Sequence, residues 1–192
     1  MRMYRVTGMA VAVAVIATAA WAQSEPTPPA ESKPKAAVEG TMTIKRMGEI
    51  IMRLDPEAKK SANAQAWQFH VEKIPVVVVT DPGNNRMRIM IALKQADKIT
   101  PAELLRMSQA NFDTALDARY AIAQGLVWAT FIHPLSELHD KQFIAGIGQT
   151  VNAAKSYGST YSSGLLSFGG GDSRAIIQRD LIDKLIKKGQ EI

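Results

Sequence analysis

Apolar and polar positions alternate on both sides of Gln124-Gly125 in the stretch Ala118–Pro134 (ARYAIAQGLVWATFIHP). Two extended runs around a two-residue turn, with glycine free to take φ > 0, predict a tight β-hairpin. The pairing sets Ala123 opposite Leu126, Ile122 opposite Val127, Ala121 opposite Trp128 and Tyr120 opposite Ala129. Successive side chains point to opposite faces. One face, with Tyr120, Ile122, Val127 and Phe131, reads as core. The other, with Arg119, Ala121, Ala123, Leu126, Trp128 and Thr130, is a semi-apolar surface with one indole over small residues.

The same patterning places the other elements. Ile44, Met47, Ile50, Ile51 and Leu54 recur at helical spacing, predicting a first helix over Thr43–Leu54 that Asp55-Pro56 ends. Ala66–Val71 alternates as a strand, with Trp67, Phe69 and Val71 on one side and Gln68 and His70 on the other. Ile74–Thr80 and Arg86–Leu93 flank a loop of turn formers, Asp81–Asn85. If Thr80 pairs with Arg86, then Val77, Val79, Met87, Ile89 and Ile91 face the core. Val76, Val78, Arg86, Arg88 and Met90 then face outward.

Thr100-Pro101-Ala102-Glu103 is a capping box with proline at the first helical position, and Leu104, Leu105, Ser108 and Phe112 are expected to face inward as far as Thr114. Ser136 is expected to cap a third helix, with Leu138, Phe143, Ile147, Val151 and Ala154 as its stripe and Gly158 as its terminator. Ser159–Gly171 reads as a small-residue, flexible exit. A last amphipathic helix, capped by Asp172 or Ser173, carries Ile176, Ile177, Leu181 and Leu185 on one side and Lys184, Lys187 and Lys188 at its end. The order is helix, three strands, helix, two strands, helix and a C-terminal helix. This predicts an α+β, two-layer domain: an antiparallel sheet with helices on one face.

Residues 1–22 read as a cleavable secretory leader. Arg2 and Arg5 form a basic start, Val6–Ala19 is an uncharged apolar run, and Ala20-Trp21-Ala22 is an A-x-A cleavage site. A bacterial lipid anchor is excluded, since the chain has no Cys to acylate. The expected location is therefore periplasmic or secreted. Residues 23–40 (QSEPTPPAESKPKAAVEG) read as a disordered Pro-rich linker, residues 41–166 as the α+β domain, and residues 167–192 as a Gly-rich linker with the C-terminal helix. After the leader no apolar run approaches the length of a membrane span.

The formal net charge is +5, of which Arg2 and Arg5 in the leader contribute two. The remainder is too small and too dispersed to argue for nucleic acid. The absence of Cys rules out disulfides and thiolate metal sites.

Three segments, WQFHVEKIPVVVVTDPGNNRMRI, ANFDTALDARYAIAQGLVWATFIHPL and VNAAKSYGSTYSSG, in this order of elements, resemble the YbjN-like bacterial proteins. That family is similar in fold to type III secretion chaperones. The resemblance covers about Thr41–Gly164, and its most specific piece is Asn111–Asp117 running through the hairpin to His133-Pro134-Leu135. It implies a small non-enzymatic domain, often dimeric, that binds protein segments along its sheet or helices. Secretion chaperones are cytosolic and usually acidic, whereas this chain has a leader and a basic balance, so only the fold and a general binding capacity carry over.

Candidate chemistry is sparse. His133, His139 and Asp140 are the one cluster resembling ligands, and the alternative reading is a metal-dependent or hydrolytic envelope enzyme centred on them. The cluster lacks a recognised ligand spacing, so neither a metal site nor a cofactor is expected. No G-x-S-x-G occurs, and Gly169–Gly171 lacks the pattern of a phosphate loop. What remains is the outer sheet face, which collects His70, Arg86, Arg88, Arg119 and Trp128. Charged residues beside an aromatic suggest a partner surface for a protein or peptide segment, or for a second copy in a homodimer. A third reading is an envelope regulatory protein that touches the membrane through its C-terminal helix alone.

Overall fold

The computed structural model describes residues 41–164 and 173–190, with side chains of the last helix from Asp180 onward. The leader, including Ala20 and Ala22, the Pro-rich linker and Gly169–Gly171 lie outside the described residues. The fold is α+β. Helix α1 (Ile44–Leu54) is followed by strands β1 (Lys59–Lys60), β2 (Ala66–Val71), β3 (Ile74–Asp81) and β4 (Arg86–Gln95). Helix α2 (Pro101–Asp113), the hairpin β5 (Arg119–Ala123) and β6 (Leu126–Pro134), α3 (Asp140–Ser156) and α4 (Ser173–Gln190) complete it. The six strands form one antiparallel sheet in the order β1-β2-β3-β4-β6-β5. The two-residue β1 had no signal of its own in the sequence.

The hairpin has the expected register, and Gln124 and Gly125 take φ of 52° and 72°, as a tight turn of this hand requires. The Thr100 box is also formed: the Thr100 hydroxyl accepts from the Glu103 N–H, and the Glu103 carboxylate from the Thr100 N–H. The β3 register differs from expectation. Asp81, not Thr80, pairs with Arg86, because the Asp81 carboxylate accepts from the Asn84 N–H and amide and closes the loop one residue later. A one-residue slip turns every side chain over. Val76, Val78 and Thr80 are therefore buried, while Val77 and Val79 face outward.

Two further expectations are corrected. α3 begins at Asp140 with His139 as its cap residue, because the Ser136 N–H is held by the Asn85 side chain in a turn before the helix. Residues 159–164 are packed, not a flexible exit. Tyr161 and Ser163 are buried, and the Thr114 hydroxyl donates to the Tyr161 carbonyl at 2.6 Å.

α3 explains how the layers stack. Its buried positions run round most of the helix, from Phe143 and Ile147 to Gly148 and Asn152, as in a helix packed on more than one side. A Cβ on Gly146 would stand 2.9 Å from the Phe131 ring, and one on Gly148 2.7 Å from Ile182 of α4. The two glycines thus let α3 lie close to the sheet on one side and to α4 on the other. α4 also crosses α1, where a Cβ on Gly189 would stand 3.7 Å from Ile50 of α1 and 2.5 Å from Ile144 of α3. The helix ends cap each other: Lys188 donates to the Leu54 carbonyl and Arg53 to the Gly189 carbonyl, each at 2.8 Å. Leu181, Ile182 and Leu185 are buried in this contact.

Gly146→Val should lower stability by about 1–3 kcal/mol through overpacking against Phe131, whereas Gly83→Ala, which meets only one Asp81 oxygen at 3.6 Å, should move it by less than about 0.5 kcal/mol. Urea midpoints of the two variants check this. A second expectation concerns acid. The Lys94 ammonium at 2.8 Å, then the Thr100 N–H, hold the Glu103 carboxyl down at about 2 from its ordinary 4.5. A carboxyl depressed on folding adds stability that is full above its unfolded value and lost as pH falls through the folded one. Glu103→Gln should therefore flatten the decline in urea midpoint between pH 4.5 and about 2, relative to wild type.

Candidate functional site

All the helix packing described above lies on one side of the sheet. The opposite face, as far as the described residues extend, has no helix over it. Its cross-strand rows follow from the register. Asp81, Arg86 and Pro134 form one row; Val79, Arg88 and Ile132 the next; Val77, Met90, Thr130 and Arg119 the third; and Ala92, Trp128 and Ala121 the fourth. Four of the five residues expected at the partner surface, Arg86, Arg88, Arg119 and Trp128, lie on these rows.

His70 is exposed on the same face, paired with Pro75 at the other side of the sheet. Its N–H donates to the Asp55 carboxylate at 2.7 Å and its ring stands 3.7 Å from the same group, which ties it to the end of α1. The His70 N–H is also the chief cause that holds the Asp55 carboxyl below its usual range.

Two shallow depressions share this face. One, of about 370 Å³, is lined by Val79, Asp81, Arg86, Arg88, Met90 and Ile132. The other, of about 270 Å³, is lined by Arg88, Met90, Ala121, Trp128, Thr130 and Ile132 among others. The Trp128 indole N–H donates to the Ala123 carbonyl at 2.9 Å, so the ring is laid over the hairpin turn with its polar end already satisfied. Thr130 is only 7% exposed, and its hydroxyl has no hydrogen-bond partner among the described residues.

The electrostatics are one-sided. Arg86 donates to the Asn85 carbonyl and Arg119 to the Ala118 carbonyl, while Arg88 makes no side-chain hydrogen bond among the described residues. None of the three is in an ion pair there. Asp81, the carboxylate beside Arg86, is engaged by Asn84, whose amide holds its pKa below the ordinary range, and Asp117 lies along the same cleft as Arg119.

The alternation that placed Trp128 and Thr130 outward also reaches Ile132, two residues on, which is 52% exposed and was not singled out from the sequence. Val79 was missed for a different reason, the one-residue slip of β3.

The His133, His139 and Asp140 cluster does not assemble. Asp140 is buried and accepts from Arg46 Nη2 at 2.6 Å and Nε at 2.9 Å, which locks the start of α3 to α1. His133 stacks on Phe131, its Nδ1 2.8 Å from the Pro134 carbonyl, and His139 is exposed. Among the described residues no group of three or more His, Asp or Glu side chains is placed to hold a metal ion. Ser156 and Ser162 close the C-terminal end of α3 by hydrogen bonds to neighbouring backbone and to each other's segments.

The periodicity of α2 predicts burial of Leu104, Leu105, Ser108 and Phe112. The structure turns the helix round: Met107 and Ala110 are buried, and the four expected residues are exposed, Phe112 by 96%. The cause is Asn111, whose amide accepts from the Tyr120 N–H at 2.7 Å and donates to the Tyr120 carbonyl at 3.0 Å. That fork fixes which side of α2 meets the edge strand β5.

Fold and surface together define an α+β domain with a bare, basic and partly apolar sheet face. No family model matches the chain, and no characterised protein matches it in sequence. Among solved structures it is similar to a chain of the HopA1-SchA chaperone-effector complex, with 12% identity and a TM-score of 0.40 over 58% of this chain and 95% of that one. A likeness of this strength is one of outline and decides neither family nor function.

Proposed function

We propose that this chain is an exported, non-enzymatic binding domain of the YbjN-like kind, which holds a protein or peptide segment against its outer sheet face and works as a homodimer. The observation that carries the reading is the juxtaposition of Val79, Met90, Trp128 and Ile132 with Arg86 and Arg88, which have no ion-pair partner among the described residues. Apolar contact area supplies affinity, and unpaired guanidiniums select the sign of the partner's charge. The complementary partner is a segment that alternates apolar and acidic side chains. The leader pattern of residues 1–22 supports export to the periplasm or beyond the cell.

Self-association is assigned to α2. A face of Leu104, Leu105 and Phe112 has Ser108, a small residue, at its middle. In an antiparallel pairing about Ser108, Phe112 of each copy meets Leu104 and Leu105 of the other, which is the self-complementarity a two-fold interface needs.

Two measurements test the reading. In fluorescence anisotropy with a labelled peptide of alternating Val and Glu, Arg88→Glu should weaken binding by about tenfold or more. Equal binding by the variant, or tighter binding of a Val and Lys peptide by wild type, would sink the assignment of this face. In sedimentation, wild type should run as a dimer and Phe112→Glu as a folded monomer. A monomeric wild type would remove the α2 interface.

A further inference from the structure

Two opposite charges stand close together at the start of β5 without pairing. Asp117 and Arg119 are two residues apart, so their Cα atoms lie within about 7 Å of each other. Neither is in an ion pair among the described residues. Both are exposed, and both line a cleft of about 450 Å³ that β6 and α3 complete.

Each is held from behind. Gln149, only 2% exposed, donates from Nε2 to Asp117 Oδ2 at 3.1 Å, and its Oε1 accepts from the Ala118 N–H at 3.2 Å. Arg119 spends one donor on the Ala118 carbonyl at 3.1 Å. Leu116 takes φ of 33°, a left-handed backbone that a branched side chain rarely adopts, where the chain bends ahead of Asp117.

The polar groups left over on the wall divide into acceptors and donors. Asp117 Oδ1 makes no hydrogen bond among the described residues. The Pro134 carbonyl can only accept, so His133 Nδ1 carries the proton and Nε2 of the neutral ring is left as an acceptor. The donors are the remaining guanidinium N–H groups of Arg119 and the NH2 of Gln142, whose oxygen accepts from the His139 N–H at 3.1 Å. Phe131, Ile132 and Ala145 make the rest of the wall apolar. A simple anion would meet Asp117, a simple cation would meet Arg119, and a neutral polyol would leave both charges uncompensated.

We propose that this cleft binds a free α-amino acid with an aliphatic side chain. The ammonium is received by Asp117 Oδ1 and His133 Nε2, and the carboxylate by Arg119 and Gln142. The aliphatic side chain lies against Ile132 and Ala145, the pairing of apolar wall and few polar groups that small-ligand sites use. An interior residue of a polypeptide carries neither main-chain charge. The cleft is therefore unsuited to the segments assigned to the outer face, and the inference does not rest on that reading.

The test is a ¹⁵N NMR titration of the full chain with L-leucine to about 20 mM, which populates a millimolar site. The amides of Asp117, Arg119 and His133 should shift together and saturate. Isocaproate, which lacks the ammonium, and leucinamide, which lacks the carboxylate, should each bind about fivefold or more weakly at about pH 6.5, where the α-amino group is charged. Asp117→Asn and Arg119→Gln should each weaken leucine binding by a similar factor. Asn at position 117 keeps an acceptor for Gln149, so the loop is retained. Trp128→Ala and Arg88→Glu should leave leucine binding unchanged. No saturable shift at the three amides would overturn the proposal, as would equal binding of either singly charged analogue or full binding by Arg119→Gln. Shifts confined to Val79, Met90 and Trp128 would remove the cleft site and leave the outer-face reading standing.

Discussion

The close approach of α3 to its neighbours on two sides is the constraint on which the other layers depend. Gly146 admits the Phe131 ring and Gly148 admits Ile182, so one helix is core to the sheet and core to α4 at once. With α1 and α4 committed to that helical stack and α2 to the edge strand β5, no helix among the described residues covers the other side of the sheet. The bare face is thus a consequence of where the small residues lie in α3. Truncating α4 would expose apolar side chains of α1 and α3, so the last helix belongs to the domain's stability even though a Gly-rich stretch precedes it.

How much of this could be read in advance differs from element to element, for physical reasons. The hairpin was legible because Gln124-Gly125 admits one turn geometry and the flanking residues alternate cleanly. β3 was not, because Val76–Val79 is apolar on both faces and offers no alternation to fix the register. The decision fell to the Asp81 side chain, and a loop of turn formers accommodates either closing pair. α2 misled for the opposite reason. Its strongest apolar periodicity, Leu104, Leu105 and Phe112, points away from its own domain, and a polar residue, Asn111, sets its orientation. Periodicity reports that a face wants burial; it does not say against what.

The expected surface residues fared according to the same logic. Arg88, Arg119 and Trp128 followed from pleating alone and lie on the uncovered rows of the sheet. His70 has the right face but the wrong neighbour, since Asp55, fifteen residues earlier in the chain, takes its amide. The histidine cluster was an artefact of proximity in sequence. Asp140 is the anchor of an Arg46 contact between two helices, and no spacing rule along the chain reveals a partner 94 residues away.

The Asn111 fork has a wider consequence. β5 is the outermost strand on its side, and Tyr120 would otherwise offer its main chain to any passing strand. A carboxamide has the donor and acceptor of a peptide unit in nearly the same arrangement, so one side chain stands in for a neighbouring strand without extending the sheet. Sheet growth by copies of this protein stacking edge to edge is thereby blocked at that point by a single residue. At that rim the domain is protected from polymerising.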